Sequence, residues 1–316
     1  MTFDIMMPFY GREDHFKSAV SSVLAQDDPD WRLVVIDDHY PDEGPGRWLV
    51  SIGDPRIDYV RQPQNVGINA NFQQCIDMAT GDWLTIFGCD DIMLPNYVSR
   101  VKDLISSYPD STWIQPGVRV INGDGQPVST LVDRVKSLYR PKFDGTLVLR
   151  GERLATSITR GNWMYFPALA WRRSSITATG FRANLTVVQD LALALDLALD
   201  GAAMAVDDTI VFEYRRHESS VSSWRAVEGS RFVEEQQFFH RMATEFGNRG
   251  WPKSRRAAKL HLSSRLNAAT RLPDAIKAGH RGSMQILLRH ILGFTATPTP
   301  RKHPNLEDGR SSGSRG

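Results

Sequence analysis

The chain has 316 residues, 41% hydrophobic and 23% charged, and its 38 Lys and Arg against 36 Asp and Glu leave a formal net charge of +2. That balance suits one large globular domain or two small ones and supplies no global field for nucleic acid. The two cysteines, Cys75 and Cys89, exclude a disulfide framework and a cysteine-built zinc site and fit a reducing compartment. The first residues lack the basic and apolar regions of a signal peptide, and no run is long enough for a membrane-spanning helix. The expectation is a cytoplasmic chain, at most peripheral to the inner face of the membrane.

Residues 3–7 form a short apolar run stopped by Pro8, read as a buried first strand, and residues 8–12 form the loop after it. Glu13 and Asp14 suit the first turn of a helix on which Phe16, Val20, Val23 and Leu24 recur at helical spacing. Residues 31–36 read as a second strand, ending on the acid pair Asp37-Asp38. Trp48, Leu49 and Ile52 suggest a short helix, and Ile57 and Tyr59 an edge strand. After Asn65-Val66-Gly67, one helical face carries Ile68, Phe72, Cys75, Ile76 and Ala79, and Gly81 is expected to close that helix. Residues 83–87 form another buried strand, followed by Gly88, Cys89 and a second acid pair, Asp90-Asp91.

Pro95 is expected to open the next helix, marked by Val98, Val101, Leu104, Ile105 and Tyr108. Trp113–Ile121 reads as a strand broken at Pro116-Gly117, and residues 122–125 as a turn. Residues 134–145, basic and without periodicity, read as a mobile loop near a substrate. Leu154 and Ile158 hint at a helix, residues 164–171 are strand-like, and residues 185–199 read as a Leu/Ala-rich helix ended by Gly201. Residues 209–214 form a last strand before Arg215-Arg216-His217.

Alternating strand and helix patterns predict an α/β fold of right-handed βαβ units with a mainly parallel central sheet flanked by helices. Neither G-x-G-x-x-G nor G-x-x-x-x-G-K-[ST] is present. Past Ser223, Phe232, Gln236, Phe239, Ala243 and Phe246 are spaced for a helix, Lys253, Arg255, Arg256, Lys259 and Arg265 form a basic helical segment, and Ile286, Leu287, His290 and Ile291 suggest one more. The basic segment is either a solvated face or a surface that lies on anionic lipid. From Thr295 onward Pro, Ser, Gly and charge predict a disordered tail. The expected organisation is a main domain over 1–222, a C-terminal helical extension over 223–294 and a tail over 295–316.

Two adjacent carboxylates at the end of a buried strand sit where open α/β sheets bind ligands. Asp90 and Asp91 repel each other unless something compensates them. A hard divalent cation bridging to phosphate oxygens would do so; the other reading is an acid pair that turns the chain and caps the next helix. Asp37 and Asp38 could likewise be acids that cap the next helix.

The order of these motifs resembles the family-2 glycosyltransferases of GT-A fold, the nucleotide-diphospho-sugar transferase fold. Residues 7–12 look like the family's P-[TF]-Y-N-R loop and residues 35–38 like its V-V-D-D. Asn65-Val66-Gly67-Ile68 with Asn71-Phe72 resembles its N-x-G-[IL] run, and Gly81-Asp82-Trp83-Leu84 its G-[ED]-[YW]-[IL]. Gly88-Cys89-Asp90-Asp91 is similar to its D-x-D region, Gln189-Asp190 to its acceptor-side x-D, and Tyr214-Arg215-Arg216-His217, with Ser220 and Ser222, to its y-R-x-H-x-x-S. The chain departs from the pattern at Gly88, where many members carry the first acid. It also departs at His39-Tyr40, in place of Gly-Ser, and at Phe72, in place of an Arg.

The resemblance implies an inverting, metal-dependent transferase that moves a sugar from a nucleotide-diphosphate donor, a UDP-sugar for preference, to an acceptor hydroxyl. The acceptor would be a glycan, a lipid-linked glycan or a protein, with no nucleic acid partner. Mn²⁺ or Mg²⁺ would be held by Asp90, Asp91 and His217. The nucleotide-sugar would be met by Pro8, Tyr10, Arg12, Asp37, Asp38, Asn65, Gly67 and Asp90. Asp190 would be the catalytic base; the competing reading makes it the N-cap of its helix. The other functions to weigh are a catalytically silent sugar-nucleotide or glycan-binding module and a sugar nucleotidyltransferase. The latter usually needs a Gly-rich basic phosphate loop, which residues 8–12 are not.

Overall fold

The computed structural model describes residues 2–216, 230–277 and 279–293. The first half runs β1 (Phe3–Phe9), α1 (Glu13–Leu24), β2 (Trp31–Asp37), α2 (Gly44–Ser51), β3 (Ile57–Arg61), α3 (Ile68–Met78) and β4 (Trp83–Ile86). Then come β5 (Ile92–Met93), α4 (Tyr97–Ser107), β6 (Trp113–Ile121), α5 (Leu131–Tyr139), β7 (Thr146–Arg150) and α6 (Gly151–Arg160). A 3-10 turn (Phe166–Ala168) leads to β8 (Ala170–Arg172), α7 (Arg173–Thr179), α8 (Gln189–Leu199) and β9 (Ala203–Arg215). Four helices follow: α9 (Ser230–Asn248), α10 (Pro252–Leu260), α11 (Leu262–Lys277) and α12 (Arg281–Leu292).

The described strands form one sheet in the order β3-β2-β1-β4-β8-β6-β9-β5, with β7 also on β9. β1 runs parallel to β2 and β4, β2 to β3 and β6 to β9, whereas β8 is antiparallel to β4 and β6. The carboxyl ends of β1, β2, β4, β6 and β9 therefore share one edge of the sheet, where ligand sites of open α/β folds lie. The central strands are apolar on both sides because helices cover both faces. One core gathers Phe3, Ile5, Phe16, Val20, Trp83, Tyr97 and Val101; the other gathers Trp113, Trp163, Trp171, Ile158, Leu191 and Leu195.

Several local expectations are corrected. Pro8 does not stop β1: the strand continues to Phe9, in register with Ile36 and Asp37 of β2. Gly81 does not cap α3, which ends at Met78. A Cβ on Gly81 would lie 2.6 Å from the Thr2 carbonyl oxygen, so its role is close backbone approach. The helix expected at Pro95 starts at Tyr97, after the short strand β5. β6 is not broken at Pro116-Gly117. Its register against β9 jumps from Gln115–Val206 to Gly117–Ile210, so the proline sits at a bulge, where no ladder bond is lost.

Residues 134–145 are not a loop throughout, since α5 occupies 131–139. The Thr130 hydroxyl accepts the Asp133 N–H at 3.3 Å and caps that helix. The segment 164–171 is a 3-10 turn and a three-residue strand because Pro167 interrupts it. The expected boundary at 222–223, with His217, Ser220 and Ser222, and the tail over 295–316 lie outside the described residues. The helices from 230 onward are packed on the rest: Phe238, Phe239, Met242 and Phe246 of α9 and Ala258 of α10 belong to the same core as Trp113 and Leu195. No described helix is long and apolar enough to cross a membrane.

Candidate active site

Three loops at the carboxyl edge of the sheet lie side by side. After β1, Tyr10 is 54% exposed, and its ring meets that of Tyr40 edge-on at 5.5 Å. A Cβ on Gly11 would lie 3.2 Å from the Cys89 Sγ, which places the loop after β1 against the loop after β4. The Asp38 N–H donates to the Phe9 carbonyl at 2.9 Å, joining the loop after β2. Arg12 extends into solvent and pairs with Asp14.

The first acid pair is buried and already engaged by the protein. Asp37 Oδ1 accepts the Tyr40 N–H at 2.7 Å, and Oδ2 accepts the Tyr59 hydroxyl at 2.5 Å and the Arg61 guanidinium at 2.7 Å. Asp38 accepts the N–H groups of Val66 at 2.7 Å and Gly67 at 2.9 Å, and Asn65 donates to its carbonyl at 3.0 Å. Gly67 takes φ +83°, which glycine adopts freely. Asp38 thus fixes the 65–67 loop against the end of β2. His39 sits at φ +57°, a backbone conformation that favours glycine, with its Nδ1 3.1 Å from the Gln62 carbonyl oxygen.

The second pair differs in exposure. Asp91 is 1% exposed and Asp90 half-buried. Asp91 Oδ1 accepts the Arg215 N–H at 2.7 Å. The Arg215 guanidinium donates to the carbonyls of Asp90 at 2.6 Å and of Asn122 and Gly123 at 3.0 Å. Arg215, at the end of β9, therefore ties the acid loop to the turn after β6. A Cβ on Gly88 would lie 2.5 Å from Asp91 Oδ2 and 3.0 Å from Asp90 Oδ1, so one oxygen of each carboxylate converges on the same small space. Burial and the neighbouring Asp90 hold the Asp91 carboxyl well above the usual carboxylate range. Converging hard oxygens of two adjacent carboxylates fit a divalent cation that takes its remaining ligands from phosphate and water. Among the described residues, no group of three or more His, Cys, Asp or Glu forms a fuller cage. The Cys89 thiol is pushed up to about 12 by burial and by Asp90, so it stays protonated and is no nucleophile.

Beyond this edge lies a cavity of about 710 Å³ between α5, the start of α8, α9 and α11. Asn122 and Arg216 line it on the side of the acid loop, and Lys136, Asn162, Asp190 and Glu235 reach it from elsewhere. Asp190 is the second residue of α8. Its Oδ1 accepts the Leu191 N–H at 2.7 Å, and its Oδ2 accepts the Asn162 amide at 3.0 Å. Arg216 pairs with Asp133 at 2.5 Å. Burial pushes the Lys136 ammonium down to about 8, with Arg216 adding to the effect, while Asp190 and Asp133 act the other way. Its Nζ donates to the Met164 carbonyl at 2.6 Å.

The structure thus brings Pro8, Tyr10, Asp37, Asp38, Asn65, Gly67, Asp90 and Asp91 to one edge and sets Asp190 in the adjoining cavity; His217 lies outside the described residues. The sequence does not mark Tyr59, Arg61, Asn162 or Lys136 as site residues, because their partners are 22 or more residues away. Phe72 stacks on Phe166 at 5.4 Å and meets Phe181 at 5.9 Å, so it packs α3 against the segment before β8.

Comparison with known proteins bears on the family and the fold. The family model described as glycosyl transferase family 2 matches residues 4–173, more than half of the chain. A putative colanic acid biosynthesis glycosyl transferase, WcaA of Escherichia coli, is 33% identical over 96 residues, covering 30% of this chain and only 34% of that protein. A putative teichuronic acid biosynthesis glycosyltransferase, TuaG of Bacillus subtilis, is 24% identical over 72% of this chain and 85% of its own length. Among solved structures, TarS 1–349 of S. aureus with UDP-GlcNAc superposes with a TM-score of 0.57 at 14% identity, covering 93% of each chain. The mannosyltransferase PcManGT of Pyrobaculum calidifontis, with GDP-Man and Mn²⁺, gives 0.58 at 14% identity over 92% of this chain and 85% of that one. The chain belongs to glycosyl transferase family 2 and is a glycosyltransferase of GT-A fold.

Proposed function

We propose that this glycosyltransferase moves a sugar from a nucleoside-diphosphate donor, a UDP-sugar first among those to test, to a hydroxyl of a growing polysaccharide, with inversion at the anomeric carbon. The observation that carries the donor side is the convergence of Asp90 and Asp91 over Gly88, beside the exposed Tyr10. The base would lie on Tyr10, a flat apolar face with a polar tip. Asp37, Asp38, Asn65, Gly67 and Pro8 shape the loops around it, and Arg12 stands at the rim. Asp90, the more exposed acid, would be the direct cation ligand, while Asp91 holds the loop through Arg215. A bound Mn²⁺ or Mg²⁺ supplies Lewis-acid neutralisation of the charge on the departing diphosphate. In the displacement the acceptor oxygen attacks the anomeric carbon, the bond from that carbon to the diphosphate breaks, and Asp190 takes the hydroxyl proton as general base.

The complexes of TarS with UDP-GlcNAc and of PcManGT with GDP-Man and Mn²⁺ support a nucleotide-sugar donor and a cation. The names of WcaA and TuaG support a cell-envelope polysaccharide as acceptor. The test is a thermal-shift panel of UDP, GDP and other nucleoside diphosphates with and without Mn²⁺, since a ligand that binds the native state raises the melting temperature. One nucleotide should raise it with Mn²⁺ and not in EDTA, and Asp90→Asn should abolish the rise without unfolding the protein. An equal rise in EDTA, or in Asp90→Asn, would remove the cation from the mechanism.

A further inference from the structure

α8 is anchored from a distant part of the chain. The three residues leading into it, Thr186, Val187 and Val188, point their N–H groups at one oxygen of Glu234, at 2.9, 2.6 and 3.1 Å. Successive backbone N–H groups that face one point form an anion-binding nest. Here the anion is a side chain of α9, 46 residues beyond Val188. The segment offers no anchor of its own, since Val188 occupies the N-cap position and makes no side-chain cap. A carboxylate on several N–H groups at the positive end of a helix makes charge-assisted bonds, stronger than those between neutral partners.

Two residues past Val188 stands Asp190. Its own restraints are the Leu191 N–H and the amide of Asn162, a residue just beyond α6. The carboxylate that lines the cavity is thus held between two parts of the protein: Asn162 fixes its outer oxygen, and Glu234 fixes the backbone that carries it. Next along α9, Glu235 binds Arg231 at 2.6 Å and also receives the Ser264 hydroxyl of α11, which braces this end of α9.

We propose that Glu234 is a positioning residue for Asp190: it holds the entry to α8 so that the Asp190 carboxylate faces the acceptor oxygen, and through it the C-terminal helices act on turnover. This inference rests on the reading of Asp190 as the base. A general base works only within hydrogen-bond reach of the proton it takes, and a displacement of about 1 Å costs on the order of 10²-fold in rate.

The test is a double-mutant cycle on the full chain. The readout is Mn²⁺-dependent hydrolysis of the nucleotide sugar selected by the thermal-shift panel, with water standing in for the acceptor hydroxyl. Asp190→Asn should lose roughly 10²–10⁴ in kcat. Glu234→Ala should lose about tenfold in kcat with KM and the affinity for the nucleotide and Mn²⁺ unchanged, and Glu234→Gln, which keeps an acceptor oxygen for the nest, should stay within about threefold of the parent. The double variant Glu234→Ala/Asp190→Asn should be no slower than Asp190→Asn alone, because a residue that acts through Asp190 has nothing left to position. A cap that merely stabilises the fold would lower the melting temperature and leave the two losses to multiply. Normal kcat in Glu234→Ala beside an impaired Asp190→Asn, or multiplied losses in the double variant, would overturn the positioning role alone. Normal turnover in Asp190→Asn would overturn the base reading itself. Should Glu234→Ala not fold, the same cycle is run with Glu234→Met, which keeps the length of the side chain and removes the oxygen that the three N–H groups meet, and it decides by the same criterion.

Discussion

Gly88 shows how much can depend on an absent side chain. The space where its Cβ would be is the space on which Asp90 and Asp91 converge. Gly88→Ala is therefore expected to push one carboxylate aside, a small change for the fold because the atoms in the way are side-chain ends and not backbone. The loss should fall on the cation: a melting temperature close to that of the parent, with a shift by nucleotide and Mn²⁺ reduced to that of Asp90→Asn, read in the same thermal assay. An undiminished shift would mean that the carboxylates do not meet at this point. The sequence announced the acids and their place at a strand end, because adjacent carboxylates after an apolar run are a local pattern. It did not announce that Asp37 is clamped by Tyr59 and Arg61, or that Arg215 ties Asp91 to the turn at 122–123, because those partners meet only when separate strands pair.

Among the elements, those with a buried stripe were legible and those without one were not. α1, α3 and α4 each bury apolar residues at helical spacing, and each was placed from that period. α5 leaves Leu131, Val132, Val135 and Leu138 exposed, so no core face marked it. The signal that could have found it is the Thr130-x-x-Asp133 capping pattern. β7 was missed because only its pairing with β9 makes it a strand.

The last helices carry a testable pH response. His290 of α12 is 2% exposed, and its Nε2 lies 2.6 Å from the Ser264 hydroxyl of α11. His261 stands 5.2 Å from it ring to ring, and Phe232 of α9 packs at 5.2 Å. Burial pushes His290 down to about 4, with His261 and Arg265 adding to the effect. The unfolded chain takes up this proton near pH 6.5 and the folded chain only near 4. Stability should therefore be full above pH 6.5 and decline between 6.5 and 4, by up to about 3 kcal/mol. Urea midpoints at pH 7.5 and 5 should show the fall, and His290→Gln should flatten it; an unchanged slope in that variant would assign the response to other groups.

At the scale of the whole molecule, the C-terminal helices complete the core. α9 contributes Phe238, Phe239, Met242 and Phe246 to the cluster that holds α6 and α8. A chain ended at Arg216 would leave those apolar faces to water and free the nest before α8. It is expected to aggregate or to lose its near-ultraviolet dichroism, as measured by gel filtration and spectroscopy. A monomeric, cooperatively melting 1–216 fragment would show that the extension is an independent appendage. The composition change past Ser223 was visible in the sequence, but the dependence was not, since it lies in contacts between residues more than 30 positions apart.

β9 collects β6 along one side and β7 and β5 along the other, and its last residue, Arg215, secures the acid loop formed 125 residues earlier. Seen from the ribosome, this makes the setting of the acid loop a late event. At about 5–20 residues per second, roughly 6–25 s pass between the emergence of Asp90 and that of Arg215. During that interval β1 to β4 can pair, while β5 and the far side of β6 have no partner to add to and the Asp91 carboxylate lacks the Arg215 N–H that holds it. Pairings of such long sequence separation are slow because the loop must close before the contact rewards it. The nascent chain therefore cannot fix the acid loop until the strand that finishes the sheet has arrived.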